Sequence, residues 1–263
     1  MRRQTFLKSA LAAASATIGT AIMDSAPLDD DTPPTSAEPV AAQTPDVPDY
    51  DEFHRLVSGD EPLTWVFTGD SITQGAFFTN GWRHYVQHVE ERVRWEMLRK
   101  WDFVINTGVS AERSDHILGD FDNRVARFAP AIVSLMIGTN DAVNGPDGRE
   151  VFRDNVSQLV DGIRDTGAIP LLATFNPVSS AGDPARTDLP QYAQLVRDVA
   201  KEHETILIDH FAQWTSLDPD VTDAWHGDAI HPNEIGHLVM ARKTLDVLGI
   251  ADPDSPTGRL RVE

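Results

Sequence analysis

The chain has 263 residues, 41% of them apolar, which is enough for one sizeable core and one domain. It contains no cysteine, which excludes disulfides, Cys-ligated zinc, iron–sulfur clusters and a thiol nucleophile. A formal net charge of −19, from 41 acidic against 22 basic residues, repels nucleic acid and anionic membrane surfaces. The acidic excess is carried by 29 Asp, while only 4 residues are Lys. Such a surface suits a protein kept hydrated in strong brine, and equally an ordinary acidic secreted protein.

Residues 1–23, "MRRQTFLKSALAAASATIGTAIM", run from Arg2-Arg3 through a short Ala-rich apolar segment to small residues. This is the layout of an export signal and predicts an extracellular or cell-surface location. The Arg pair followed by Phe6-Leu7-Lys8 resembles a twin-arginine signal with one extra residue, so the general secretory route stays open as well. No later stretch reaches the roughly 18 apolar residues of a membrane span. Residues 24–58 follow as an expected disordered linker, because 24–50 hold six Pro and six Asp with few large apolar groups.

From about residue 59 short apolar runs alternate with amphipathic segments. "LTWVFTG" (63–69), "DFVINTG" (102–108), "AIVSLMIG" (131–138), "AIPLLATFNP" (168–177) and "TILIDH" (205–210) read as buried strands. Helical patterns occupy 81–99, 149–166, 189–203 and 233–248. In the first, Tyr85, Val89, Val93 and Met97 recur every fourth residue as one core-facing stripe. Five strands alternating with helices predict a parallel sheet covered on both faces, an α/β protein in three layers, α/β/α. The domain is expected to span 59–250, with 251–263 a loose tail.

In such sheets functional groups gather beyond the carboxyl ends of the strands. There lie "GDSITQG" with Ser71 after the first strand, "NTGVSAERS" after the second and "GTND" with Asn140 after the third. "DAWHGDAIHPN" (223–233) follows the fifth. That last segment contains Asp-x-x-His twice, Asp223/His226 and Asp228/His231. A serine hydroxyl is a weak nucleophile until a neutral His takes its proton, and an Asp can hold that His in the needed tautomer. Backbone N–H groups in the turns and the Asn140 amide are candidate donors to the oxyanion. Ser71 is not in a G-x-S-x-G turn, which argues against the nucleophile elbow of α/β-hydrolases.

"GDSIT", "NTGVSAERS", "GTND" and "DAIHPN", in this order over about residues 62–250, resemble the four blocks of the SGNH (GDSL-like) hydrolase superfamily. The resemblance implies a flavodoxin-like sandwich and ester hydrolysis without metal or other cofactor. It places the nucleophile at Ser71, the His–Asp pair at His231 and Asp228, and the oxyanion donors at Ser71, Asn140 and position 111. That position is usually Gly and here is Ala111, which keeps the backbone N–H. The Asp228/His231 pair is preferred because Pro232-Asn233 lead directly into the last helix. Phe77, Phe78, Trp214, Trp225 and His226 are candidate pocket residues, although aromatic side chains often pin loops to the core instead. His84 and His88, four apart, are expected on a solvated helix face rather than as a metal pair.

The expected reaction is hydrolysis of carboxylic esters with short acyl groups, such as acetyl on carbohydrate, with small-molecule and lipid esters also open. Two rivals keep the same residues in view. A metal-dependent hydrolase would use Asp70, Asn140, Asp141, Asp228 and His231 as ligands. A flavodoxin-like binding protein would hold a phosphate group in the loop after the first strand.

Overall fold

The computed structural model describes residues 45–75 and 77–261. The proposed export signal and most of the expected linker lie outside them. A helix, α1 (Pro48–Ser58), occupies the end of the stretch read as linker. Pro48 stands at its start, Asp49 and Asp51 sit in its first turn, and Phe53 and Val57, one turn apart, are buried. Pro at the first helical position and acidic residues in the first turn favour a helix start. The Asp/Pro composition that suggested a linker is here helix-entry chemistry.

The strands are β1 (Thr64–Gly69), β2 (Phe103–Asn106), β3 (Ile132–Met136), β4 (Ile169–Thr174) and β5 (Ile206–Asp209). All pair in parallel, in the order β2-β1-β3-β4-β5. Every residue of β3 and β4 is buried, as expected for a sheet covered on both faces.

Between β1 and β2 lie α2 (Ser71–Gln74) and α3 (Tyr85–Glu90). The helices α4 (Ser114–Gly119) and α5 (Phe121–Arg124) follow β2, and α6 (Arg149–Asp165) follows β3 after a 3₁₀ stretch, Asp141–Gly148. Then come α7 (Leu189–Glu202) after β4, and α8 (His210–Thr215), α9 (Pro219–Asp223) and α10 (Glu234–Val247) after β5. Helix α3 packs on α10, while α4, α6 and α7 pack in succession. The right-handed rule for parallel crossovers places the α4, α6 and α7 group on the face opposite α3, as in a flavodoxin-like sandwich. Among the described residues no helix is long and apolar enough to cross a membrane.

Two elements depart from the sequence reading. The helix expected over 81–99 begins at Tyr85 and widens into a π turn, Glu91–Glu96. Its stripe holds nonetheless: Tyr85, Val89 and Val93 are buried and Met97 packs against the core. The tail is docked rather than loose. In α11 (Pro256–Arg259) the Thr257 N–H and hydroxyl both donate to Glu96 Oε1 at 2.7 Å.

The strand order reverses between β1 and β3, which run side by side while the chain leaves them toward opposite edges. Ser71 follows β1 and Asn140 follows β3, so both stand at the mouth of the crevice where such folds bind ligands.

Candidate active site

β1 ends at Gly69, and Asp70 caps α2 by accepting from the Ile72 N–H at 2.9 Å. Ser71 is therefore the first helical residue, its backbone N–H without a partner inside the helix. Gly75 closes this single turn with φ +70°, and a Cβ there would stand 2.3 Å from that of His84. Only glycine satisfies both demands.

Ser71 Oγ lies 2.8 Å from His231 Nε2. On the other side of the ring, Nδ1 lies 2.9 Å and 3.0 Å from the two Asp228 oxygens. With a proton on Nδ1 donated to Asp228, Nε2 presents a lone pair to the serine hydroxyl. Asp228 Oδ1 also accepts the backbone N–H groups of Ile230 (2.8 Å) and His231 (2.7 Å). Partial burial pushes its carboxyl up, but these donors and the imidazole outweigh it and hold the group below the usual carboxylate range. The Phe78 ring stacks on the imidazole, centroids 3.7 Å apart and planes within 5°.

The other Asp-x-x-His pair makes no such contact. Asp223 accepts the Ser180 N–H at 2.8 Å and binds its hydroxyl. The His226 ring nitrogens face the carbonyl oxygens of Thr222 (2.9 Å) and Pro177 (3.0 Å), and Trp214 packs edge-on against the ring.

Two loops face the crevice from β2 and β3. Asn106 donates to Thr73 O at 2.7 Å, the Ser110 N–H and hydroxyl both donate to Gln74 Oε1, and a Cβ at Gly108 would stand 2.5 Å from Gln74 N. The loop after β2 is thus laid directly on α2. Ala111 in it has φ +63°. Its backbone N–H is not spent in the turn, where Ser110 N donates to Gln74 and Glu112 N to Val109 O. Asn140 donates from Nδ2 to Glu112 O at 3.0 Å and accepts at Oδ1 from Arg186 Nη2 at 3.0 Å.

Two buried carboxyls flank these groups. Burial pushes Asp70 up to about 7, against the pull of the Ile72 N–H. Asp141 is also raised by burial, partly offset by the Ser114 hydroxyl and N–H that donate to it at 2.5 and 3.0 Å. Asp70 thus caps α2, and Asp141 holds the start of α4 through Ser114. Among the described residues no three His, Asp or Glu side chains gather as a metal-holding group, so Asp70, Asp141, Asp228 and His231 do not form one.

The aromatic pocket residues divide. Phe77 is 84% exposed, and Phe78 covers His231. Trp214 and Trp225 are 1% and 7% exposed and pack edge to face, so they pin the loop to the core instead of lining a pocket. His226 belongs with them as a loop staple. His88 is buried and His84 half-buried beside His237, not on a solvated face as expected. Burial lowers His88 to about 4. Arg186 and the Glu112 carbonyl were not foreseen, since both act on Asn140 from loops that carry no motif signal for it.

A parallel α/β sandwich with a serine–imidazole–carboxylate chain at the carboxyl edge of its sheet has the architecture of an ester hydrolase. The model of the GDSL-like lipase/acylhydrolase family matches residues 67–239, and the chain belongs to this family of the SGNH superfamily, as a carboxylic ester hydrolase. An acetylxylan esterase of Geobacillus stearothermophilus is 26% identical over 219 residues, covering 74% of this chain and 96% of that protein. A crystal structure of an acetylxylan esterase from that organism superposes with a TM-score of 0.59 at 25% identity, over 71% of this chain and 94% of the other. Three solved variants of it, described as catalytic mutants, replace a serine, an aspartate and the histidine three positions after that aspartate. An α/β hydrolase from the metagenome of Lake Arreo, Spain, shares the fold, with a TM-score of 0.61 at 23% identity over 73% of this chain and 99% of its own.

Proposed function

We propose that the chain is an exported serine esterase that removes short acyl groups, acetyl above all, from carbohydrate. The observation that carries the mechanism is the 2.8 Å contact between Ser71 Oγ and His231 Nε2, with Asp228 on the far ring nitrogen. The spacing of the aspartate and histidine replaced in the catalytic mutants of the acetylxylan esterase supports the same pair. Acetyl on carbohydrate is favoured by that relative's name and by 26% identity over nearly its whole length.

Ser71 Oγ attacks the ester carbonyl carbon as His231 Nε2 takes its proton, and Asp228 stabilises the imidazolium that results. The carbonyl oxygen becomes an oxyanion, held by the backbone N–H groups of Ser71 and Ala111 and by the Asn140 side chain. Collapse breaks the bond to the alcohol, which leaves with the proton from His231. Water, deprotonated by the same nitrogen, then attacks the acyl-enzyme and releases the carboxylic acid and Ser71.

The test is hydrolysis of p-nitrophenyl acetate and release of acetate from acetylated xylo-oligosaccharides by wild type and Ser71→Ala. A loss of at least about 10³-fold in the variant on both substrates is expected. Equal rates in the two proteins remove Ser71 as nucleophile. Activity on the aryl ester with no acetate released from the oligosaccharide removes the carbohydrate assignment and leaves the serine mechanism standing.

A further inference from the structure

Arg186 closes a short 3₁₀ turn, Pro184–Arg186, in the loop between β4 and α7. Asp183 caps that turn by accepting the Ala185 N–H at 2.9 Å. The Arg186 side chain is only 14% exposed, and its guanidinium nitrogens go to three different acceptors. Nη1 pairs with the Asp183 carboxylate, Nε donates to Thr139 O at 2.8 Å, and Nη2 donates to Asn140 Oδ1 at 3.0 Å. Two of its three arms therefore end on consecutive residues of the loop after β3, while Asp183 balances its charge.

A side-chain amide differs from a backbone N–H as an oxyanion donor, because it can rotate and it can flip. A flipped Asn140 presents its oxygen to the crevice, where it repels the developing charge. Here both orientable atoms are spoken for. Oδ1 accepts from the guanidinium, and one Nδ2 hydrogen goes to Glu112 O at 3.0 Å, leaving the second hydrogen for the crevice. The flip sets NH₂ against a cation and oxygen against a carbonyl, and forfeits both bonds. A cationic donor on Oδ1 also draws electron density from the amide and strengthens the remaining N–H. Glu112 directly follows Ala111, so the same frame ties the Asn140 amide to the turn that carries the other donor.

We propose that Arg186 is a positioning residue for the oxyanion: it locks the flip state of the Asn140 amide and polarises its free N–H. The proposal rests on the reading of Asn140 as an oxyanion donor. It predicts a role for a residue 46 positions away in sequence that touches no reacting atom. Two other accounts compete with it. Arg186 could serve only to hold its loop, or only to set a positive charge near the buried Asp70, on which its field acts.

A double-mutant cycle on kcat separates them, using p-nitrophenyl acetate and the full chain, with melting curves to establish folding at the assay temperature. Asn140→Ala is expected to lose about 10²-fold or more in kcat, the usual cost of one oxyanion donor. Arg186→Met loses about 10-fold in kcat, with KM within about twofold, because the amide is still present but no longer held. In the Asn140→Ala background the same substitution costs less than about twofold, since its target is gone. Arg186→Lys keeps the charge but not the fork, and recovers less than half of the lost rate. This variant also serves should Arg186→Met fail to fold.

Equal losses from Arg186→Met in both backgrounds overturn the proposal in favour of a loop-holding role. Full recovery by Arg186→Lys overturns it in favour of charge alone. Asn140→Ala with wild-type kcat overturns the oxyanion reading itself, and this proposal with it. A large Asn140→Ala loss with additive Arg186 effects overturns this proposal only.

Discussion

Ala111 gives the sharpest test of the loop after β2. Its φ of +63° puts an alanine in the left-handed region, where Cβ crowds the following carbonyl oxygen and costs about 1–2 kcal/mol. Ala111 is exposed, so removing the methyl group forfeits little burial. Replacement by glycine relieves the strain but adds about 0.4–1 kcal/mol of unfolded-state entropy to be lost on folding. The balance favours Ala111→Gly by about 0.5–1 kcal/mol, a rise in Tm of roughly 1–4 °C for a domain of this size. The loop is clamped to Gln74 by Ser110 and anchored at Glu112 by the ion pair with Arg124 at 2.9 Å, so the turn should not relax into another shape. Because the N–H is retained, kcat should stay within about threefold of wild type. Ala111→Val, with a branched Cβ at positive φ, should instead lower Tm and activity together. Differential scanning calorimetry and p-nitrophenyl acetate kinetics on the two variants decide the matter. A lower Tm for the glycine variant, or a valine variant indistinguishable from wild type, refutes the strained geometry and with it the placement of this N–H.

Two further outcomes follow from the surroundings of the site. Stacked rings are worth about 0.5–1.5 kcal/mol beyond burial, so Phe78→Ala should lower kcat by roughly 2–10-fold with KM little changed, and Phe78→Tyr should restore it; a rise in KM at constant kcat would make Phe78 a substrate wall instead. The second concerns acid. Burial lowers His88 to about 4 and His210 and His237 to about 3, so the unfolded chain takes up protons below pH 6.5 that the folded one refuses, and their stabilisation, full above that pH, is lost as pH falls. Asp70, raised to about 7, works oppositely, since its stabilisation is full below about pH 4 and is lost as pH rises through 7. Each histidine held neutral steepens the fall in unfolding free energy between pH 6 and 5 by about one proton, roughly 1.4 kcal/mol per unit, and His210→Leu should remove that share of the slope in urea titrations; an unchanged slope would mean that His210 is not held neutral.

What was legible in the sequence is what the sheet imposes. Strands buried on both faces read as apolar runs, and the crossover rules then put Ser71, Asn140 and the Asp228/His231 loop on one edge. Composition misled where it stood in for local chemistry. Residues 48–58 read as linker because of their Pro and Asp, yet Pro48, Asp49 and Asp51 are in helix-start positions and Phe53 and Val57 share a face. In the tail expected to be loose, Ser255 caps α11 by accepting the Gly258 N–H. The π turn at Glu91–Glu96 leaves no mark in a four-residue stripe, because the widened turn still buries Val93. Arg186 was out of reach for another reason. Its partner Asn140 is 46 residues away, and a guanidinium finds its acceptors only once two loops have been folded together.

The doubled Asp-x-x-His shows how little spacing decides by itself. In both pairs the histidine follows a turn begun by the aspartate, but Asp223 ends α9 and spends its carboxylate on Ser180. The His226 ring nitrogens are left facing the carbonyls of Thr222 and Pro177 under Trp214, with one N–H to donate. That placement serves the second pair. His226 sits opposite Pro232 in a short antiparallel bridge, with Gly227 N donating to His231 O at 2.8 Å and Asn233 N to Trp225 O at 2.8 Å. Asn233 donates from its amide to Ala224 O and accepts the Ile235 and Gly236 N–H groups, which fixes the loop to the start of α10. A base must be held rigidly to act on a hydroxyl 2.8 Å away. In the proposed mechanism the first pair contributes stiffness and the second supplies the base, and the loop between them needs both.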